Sequence, residues 1–177
     1  MPVTPFHLGP AVVLKAACPR AFSLGAFAVV QAAIDVETVG RVLAGVTPLH
    51  GPLHTLAGAV LVALAAVAPS RYGLTAAYAA LARRLRGDGR GERWLRAELG
   101  PVSWTAAAVG ALIGGVSHVL LDALIHADVW PLAPWRQGNA LWVPGAFAWT
   151  HGACAALGVA GLLAWVGRGR GSRTPSA

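Results

Sequence analysis

Apolar residues run along this chain in long stretches, and the polar residues collect between the stretches or at their ends. A spanning helix takes about 20 consecutive apolar residues, so this pattern predicts helices embedded in lipid. Five such segments are expected. The first, residues 5–17, is short and is interrupted by Lys15. The others cover 21–43, 52–68, 102–127 and 140–166, with the third ending at Pro69-Ser70. The second, fourth and fifth reach spanning length and the third nearly does, whereas the first reads as tilted, re-entrant or buried among the rest. Turns or loops are expected at Cys18-Pro19-Arg20, at 45–51 around Pro48, and at the Pro-rich stretch 130–139. A polar region, 71–100, separates the third and fourth segments. It offers a helix at 72–85, a flexible loop at 86–91 and amphipathic interfacial turns at 92–99. The expected fold is all-α: a polytopic transmembrane helical bundle of about five membrane-embedded helices plus a cytoplasmic amphipathic segment. Residues 1–167 form one domain in this reading, and 168–177 form a disordered basic tail.

Composition agrees with the pattern. Hydrophobic residues make up 56% of the 177 and charged residues 12%, against about 25% charged in soluble domains. Mean hydropathy is +0.60. The net charge of +7 would suit nucleic acid, but the arginines cluster in loops beside apolar runs. The positive-inside rule produces that distribution in membrane proteins, so no nucleic-acid partner is expected. Placing Arg20, the 71–100 region and the tail on the cytoplasmic side leaves only Arg41 and Arg136, of the 14 lysines and arginines, on the other side. The expectation is N-terminus out and C-terminus in, with membrane lipids as neighbours. Two cysteines, Cys18 and Cys154, make no disulfide framework. Lys15 and the absence of a basic n-region argue against a cleaved leader.

On this topology the ionisable residues fall in one layer. His7, Asp35, Glu37, His50, His54, His118, Asp122 and His126 all lie toward the outer side, although the turns were placed from arginines alone. His118, Asp122 and His126 recur every four residues and would share one helix face. His50 and His54 have the same separation, and the intervening Pro52 suits a first helical turn. Asp35 and Glu37, two residues apart, would point to different sides of a regular helix. A charged side chain at mid-bilayer costs ~2.5–3.5 kcal/mol on insertion scales. A divalent cation held by carboxylates and neutral imidazoles would compensate that cost. Zinc is the first expectation, with manganese and iron as alternatives, and the surplus of candidate ligands suits two ions. His151, Arg41 and Arg136, like His126, are candidates for support or for receiving an anionic substrate. Asp128 reads as a solvated loop charge. No Gly-x-Ser-x-Gly elbow, phosphate-binding loop or His-Glu-x-x-His motif occurs.

Five short motifs, taken in order, resemble the membrane-bound metal-dependent hydrolases of bacteria. They are Pro2-Val3-Thr4-Pro5-Phe6-His7, Asp35-Val36-Glu37, His50-Gly51-Pro52-Leu53-His54-Thr55, Ser117-His118-Val119-Leu120-Leu121-Asp122 and Trp130-Pro131-Leu132-Ala133-Pro134. Two local departures are Ala33-Ile34 where that family commonly has a proline before the acidic pair, and Gly51-Pro52 between the paired histidines. The resemblance implies metal ligation by His7, Asp35, His50, His54, His118 and Asp122, with Glu37. It also implies a helical core distantly similar to zinc-dependent phospholipases C. The expected activity is hydrolysis of a phosphodiester or other ester in a lipid or lipid-linked substrate by metal-activated water, with Asp122 or Glu37 as general base. Two other readings stay open at this point: a metal-ion or proton transporter or channel, and a structural membrane protein whose polar layer joins helices.

Overall fold

A computed structural model of the chain describes residues 5–87 and 89–171, and every regular element among them is helical. A 3-10 turn at Pro5–His7 leads into α1 (Leu8–Ala17). Then come α2 (Leu24–Ala44), a second 3-10 turn at Pro52–His54, α3 (Leu56–Ala82), α4 (Arg90–Glu98), α5 (Trp104–Ile125) and α6 (Ala146–Gly171). Three helices start in the same way. The hydroxyls of Ser23, Thr55 and Ser103 accept the backbone N–H of Ala26, Gly58 and Ala106 at 3.1, 2.9 and 3.1 Å. Each satisfies one of the amides that a helix start leaves open. Gly45 ends α2 with φ +63°, returning its N–H to the carbonyls of Arg41 and Val42.

Three helices are long and apolar enough to cross a membrane: Leu56–Ala82, Trp104–Ile125 and Ala146–Arg168. This corrects the expected five. α1 has only 10 residues. α2 has 21, but Asp35, Glu37 and Arg41 interrupt its second half, so its apolar run is too short. A further correction concerns Pro69, which does not end the third segment. α3 runs through it and absorbs the helix expected at 72–85. A proline removes one helical hydrogen bond, a local loss that packing along the rest of a long apolar helix can outweigh. At 27 residues α3 is ~40 Å long, longer than the ~30 Å lipid core. α6 begins at Ala146 rather than 140, just after Gly145 at φ +79°. It also continues through Gly171, which places residues 168–171 of the expected tail in the helix; residues 172–177 lie outside the described residues. So do Pro2, Val3 and Thr4 of the opening motif.

Small residues set the packing. α5 lies against both α2 and α3, while α1 pairs with α6. A Cβ on Gly114 would sit 2.9 Å from the Phe27 carbonyl oxygen of α2, and one on Gly115 2.8 Å from the Ala59 carbonyl oxygen of α3. A Cβ on Gly9 of α1 would land on the Cys154 carbonyl of α6. Backbones that approach this closely are typical of helix packing in lipid, where dispersion rather than hydrophobic burial holds helices together. The consequence for the site is direct. The second half of α2, the second half of α5, the start of α3 and the turn before α1 meet at one end of the bundle. At the opposite end, Lys15 pairs with Glu98 of α4 at 2.9 Å and Trp94 packs on Trp165 with ring centroids 5.5 Å apart.

Candidate metal centre

Asp35 on α2, His54 in the second 3-10 turn, and His118 and Asp122 on α5 bring four ligating atoms within 4.8 Å of one another. All four residues are buried. His118 Nε2 lies 3.2 Å from Asp122 Oδ2, 3.4 Å from Asp35 Oδ1 and 3.4 Å from His54 Nε2. His54 Nε2 lies 3.7 Å from Asp122 Oδ2. Donor atoms at the corners of a zinc tetrahedron with ~2.0–2.1 Å bonds are ~3.4 Å apart, so these four atoms fit a single cation.

The surrounding hydrogen bonds decide which ring atoms face inward. The Gln31 side-chain amide donates to the Gly114 carbonyl at 3.2 Å, so its oxygen is the atom that meets His118 Nδ1 at 2.7 Å. His118 therefore carries a proton on Nδ1, and in the neutral ring the Nε2 lone pair faces the two carboxylates. His54 is fixed in the same way, its Nδ1 donating to Glu37 Oε2 at 3.1 Å. Metal-binding histidines characteristically give their other N–H to a carboxylate or carbonyl group, which fixes the ring and its tautomer. His7 closes the cluster from the turn before α1. It is 2% exposed, its Nε2 is 3.6 Å from Asp122 Oδ1, and neither ring nitrogen has a hydrogen-bond partner. A buried imidazole without a partner is costly in a closed apolar site, and a cation beside it would supply one.

Several sequence expectations land elsewhere. Glu37 is not in the donor cluster. Its Oε2 accepts the backbone N–H of Gly51 and Leu53 at 3.1 and 3.0 Å besides His54, and Arg41 lies 4.0 Å from its Oε1. Those hydrogen bonds engage Oε2, which ties His54 and the loop to the second half of α2. Arg41 also donates to the Pro48 carbonyl at 3.0 Å, which makes it a loop tie. His126 does not share a face with His118 and Asp122. α5 ends at Ile125 and His126 turns extended as its C-cap (φ −120°, ψ 119°). His50 likewise lies outside the helical turn of His54, because the 3-10 turn starts only at Pro52, although the two rings are 4.8 Å apart between centroids.

His50, His126 and Asp128 form a second group whose ligating atoms lie within 4.8 Å of one another. Asp128 is therefore not the solvated charge expected. Its Oδ1 is 2.9 Å from His50 Nδ1 and its Oδ2 accepts the amides of Leu49 and His50 at 3.1 and 3.3 Å. Burial alone would raise the Asp128 carboxyl, but the His50 ring and amide outweigh it and hold it below the usual carboxylate range. Burial holds the His126 imidazole below its ordinary value. His151 donates from Nδ1 to the Phe147 carbonyl at 2.7 Å and stacks on Phe147, with its ring 6.4 Å from that of His7 between centroids. Arg136 sits in the loop before α6 and lines a concavity together with Leu132, Asn139 and Leu141.

Three residues of this end escape sequence reasoning. Gln31 precedes Asp35 by four positions, and Thr38 follows it by three. The spacing 31, 35, 38 marks one polar face of α2 and could have revealed both. Thr38 Oγ1 lies 3.3 Å from His54 Nε2. Asn139 gives both amide hydrogens to the end of α5, at Ala123 O (2.7 Å) and His126 O (2.9 Å). No sequence spacing points to it.

A family model described as a domain of unknown function (DUF4184) matches residues 1–176. No curated protein and no solved structure matches the chain.

Proposed function

We propose that this chain, which belongs to the DUF4184 family, is a metal-dependent hydrolase of a bacterial inner membrane. Its substrate would be a phosphodiester or other ester of a lipid or lipid-linked molecule. One observation carries the reading: four buried donor atoms, from residues far apart in sequence, gather at distances that suit one divalent cation.

In this reading Asp35, His54, His118 and Asp122 hold the ion, zinc first by the mix of imidazole and carboxylate, and His7 Nε2 completes the set. A divalent cation there supplies Lewis acidity and makes water a competent nucleophile near neutral pH. The chain's own groups do the rest. Gln31 and Glu37 keep the two Nε2 atoms aimed inward. Asp122 Oδ2 faces His54 and His118 while Oδ1 faces His7, so Oδ1 is the oxygen placed to take a proton from the attacking water. The apolar surround keeps bulk water out and strengthens each of these electrostatic contacts.

Three crossing helices, with α1 and α2 packed among them, are the proposed arrangement, N-terminus out. Exposed Trp130, Trp135 and Trp142 lie near the histidine end and suit an interfacial belt that receives a lipid-linked substrate. A transport pathway has less support. Beyond Gln31 the buried faces of α2 and α5 continue with Phe27, Ala26, Ala111 and Ala107, which gives no polar track through the bundle among the described residues.

The test is chemical. Protein purified in detergent without chelator should contain zinc, manganese or iron. It should hydrolyse a chromogenic phosphodiester or a phospholipid in mixed micelles, and His118→Ala and Asp122→Asn should abolish turnover and the metal held by the buried cluster. Metal-free parent protein that does not take up any of these ions would end the proposal.

A further inference from the structure

The histidine end contains a second group of convergent donors that the buried cluster does not use. His50 lies in the loop between α2 and the second 3-10 turn, His126 caps α5, and Asp128 follows two residues later. Their ligating atoms lie within 4.8 Å of one another. The His50 and His126 rings are 4.6 Å apart between centroids, tilted by 35°. The His50 ring also abuts His54 of the buried cluster, 4.8 Å between centroids, so the two groups stand side by side without sharing a residue.

The three donor atoms are close enough together to share one ion. His50 Nδ1 and Asp128 Oδ1 are 2.9 Å apart, a hydrogen-bond distance, yet the orientation is wrong and Nδ1 has no hydrogen-bond partner. The His50 side chain is only 7% exposed, so water does not readily serve that nitrogen. Asp128 is held from behind: its Oδ2 takes the amides of Leu49 and His50, which leaves Oδ1 facing the histidines. A carboxylate anchored by backbone amides on one oxygen, with the other turned to histidine nitrogens, suits a metal ligand, whose carboxylate is itself commonly hydrogen-bonded. Two imidazoles and one carboxylate are the donor set of an open zinc site, with a fourth position left for solvent. Asp128 is partly open to solvent, which gives a path for an ion to enter.

We propose that His50, His126 and Asp128 form a second, outer binding site for a divalent cation of the zinc type, separate from the buried cluster. The ion would join the loop after α2 to the segment after α5. This assignment does not depend on hydrolysis and would hold for a protein of any activity.

Zinc titration of the full-length, chelator-stripped protein in detergent, against a chromophoric competitor, tests it. Two equivalents are expected for the parent. Asp128→Asn and His126→Gln should each leave one equivalent, and His118→Ala should leave the other. The affected equivalent should weaken by more than the ~10–100-fold that follows loss of a group merely orienting a ligand. Cobalt in place of zinc gives an independent reading, since visible absorption should fall in Asp128→Asn while helical circular dichroism stays at the parent level. Unchanged stoichiometry and cobalt spectrum in both outer variants would overturn the proposal. A single parent equivalent that His118→Ala removes would also overturn it while leaving the buried site standing. A single equivalent removed only by Asp128→Asn would support the outer site and end the hydrolase reading instead.

Discussion

The two donor groups at the histidine end use the same residue types but are held in opposite ways. In the buried cluster, Asp35, His118 and Asp122 project from the middle or second half of long helices, and only His54 comes from a turn. Its histidines are fixed from behind by Gln31 and Glu37. In the outer group all three residues lie beyond helix ends, and the backbone itself supplies the anchoring, through the amides on Asp128. Sites built on helices keep their geometry because the helix is rigid at every position. Sites built on loops open and close at lower cost. The comparison predicts a tight, slowly exchanging inner site and a weaker, faster outer one.

The largest effect should come from His118→Ala. Removing that ring leaves Asp35 and Asp122 facing each other in an apolar site without the group between them, and buried polar groups left without a partner cost about 1–3 kcal/mol each. Thermal melts in detergent should show a large drop and no stabilisation by zinc at the inner site. A variant that melts like the parent would break the distinction between the two groups. Glu37→Gln and Gln31→Leu should act more mildly. Each should weaken the inner zinc equivalent by about 10–100-fold while the outer equivalent keeps its affinity. Equal weakening of both would mean that the two groups are one coupled site. Asn139→Ala should have the smallest effect. It frees two carbonyls at the end of α5, worth about 1 kcal/mol each, and should loosen the outer equivalent through His126 without altering the inner one. Reduced inner affinity in that variant would reverse the comparison.

Much of this was readable from residue order. Long apolar runs predict an all-helical chain, and the arginine distribution brings His7, Asp35, His54, His118 and Asp122 to one level. The i, i+4 spacing of His118 and Asp122 placed them on one face, which is where they are found. The same rule failed for His126 and for His50. Periodicity assumes that the helix continues, and α5 stops one residue before His126 whereas the turn carrying His54 starts two residues after His50. Pro69 misled in the other direction, since proline as a stop signal gave way to packing along a 27-residue helix.

Sequence alone therefore determined composition-driven properties: helices by apolar length, a polar layer by the positions of charges, and a set of residues chemically able to bind a cation. Tertiary structure decided how that set divides. The close approach of α2 and α3 to α5, at Gly114 and Gly115, brings Asp35 and His54 to His118, and helix termini turn His50 and His126 toward Asp128. Ligand geometry depends on distances of a few tenths of an ångström between residues up to 87 positions apart, and no local pattern of amino acids encodes such distances.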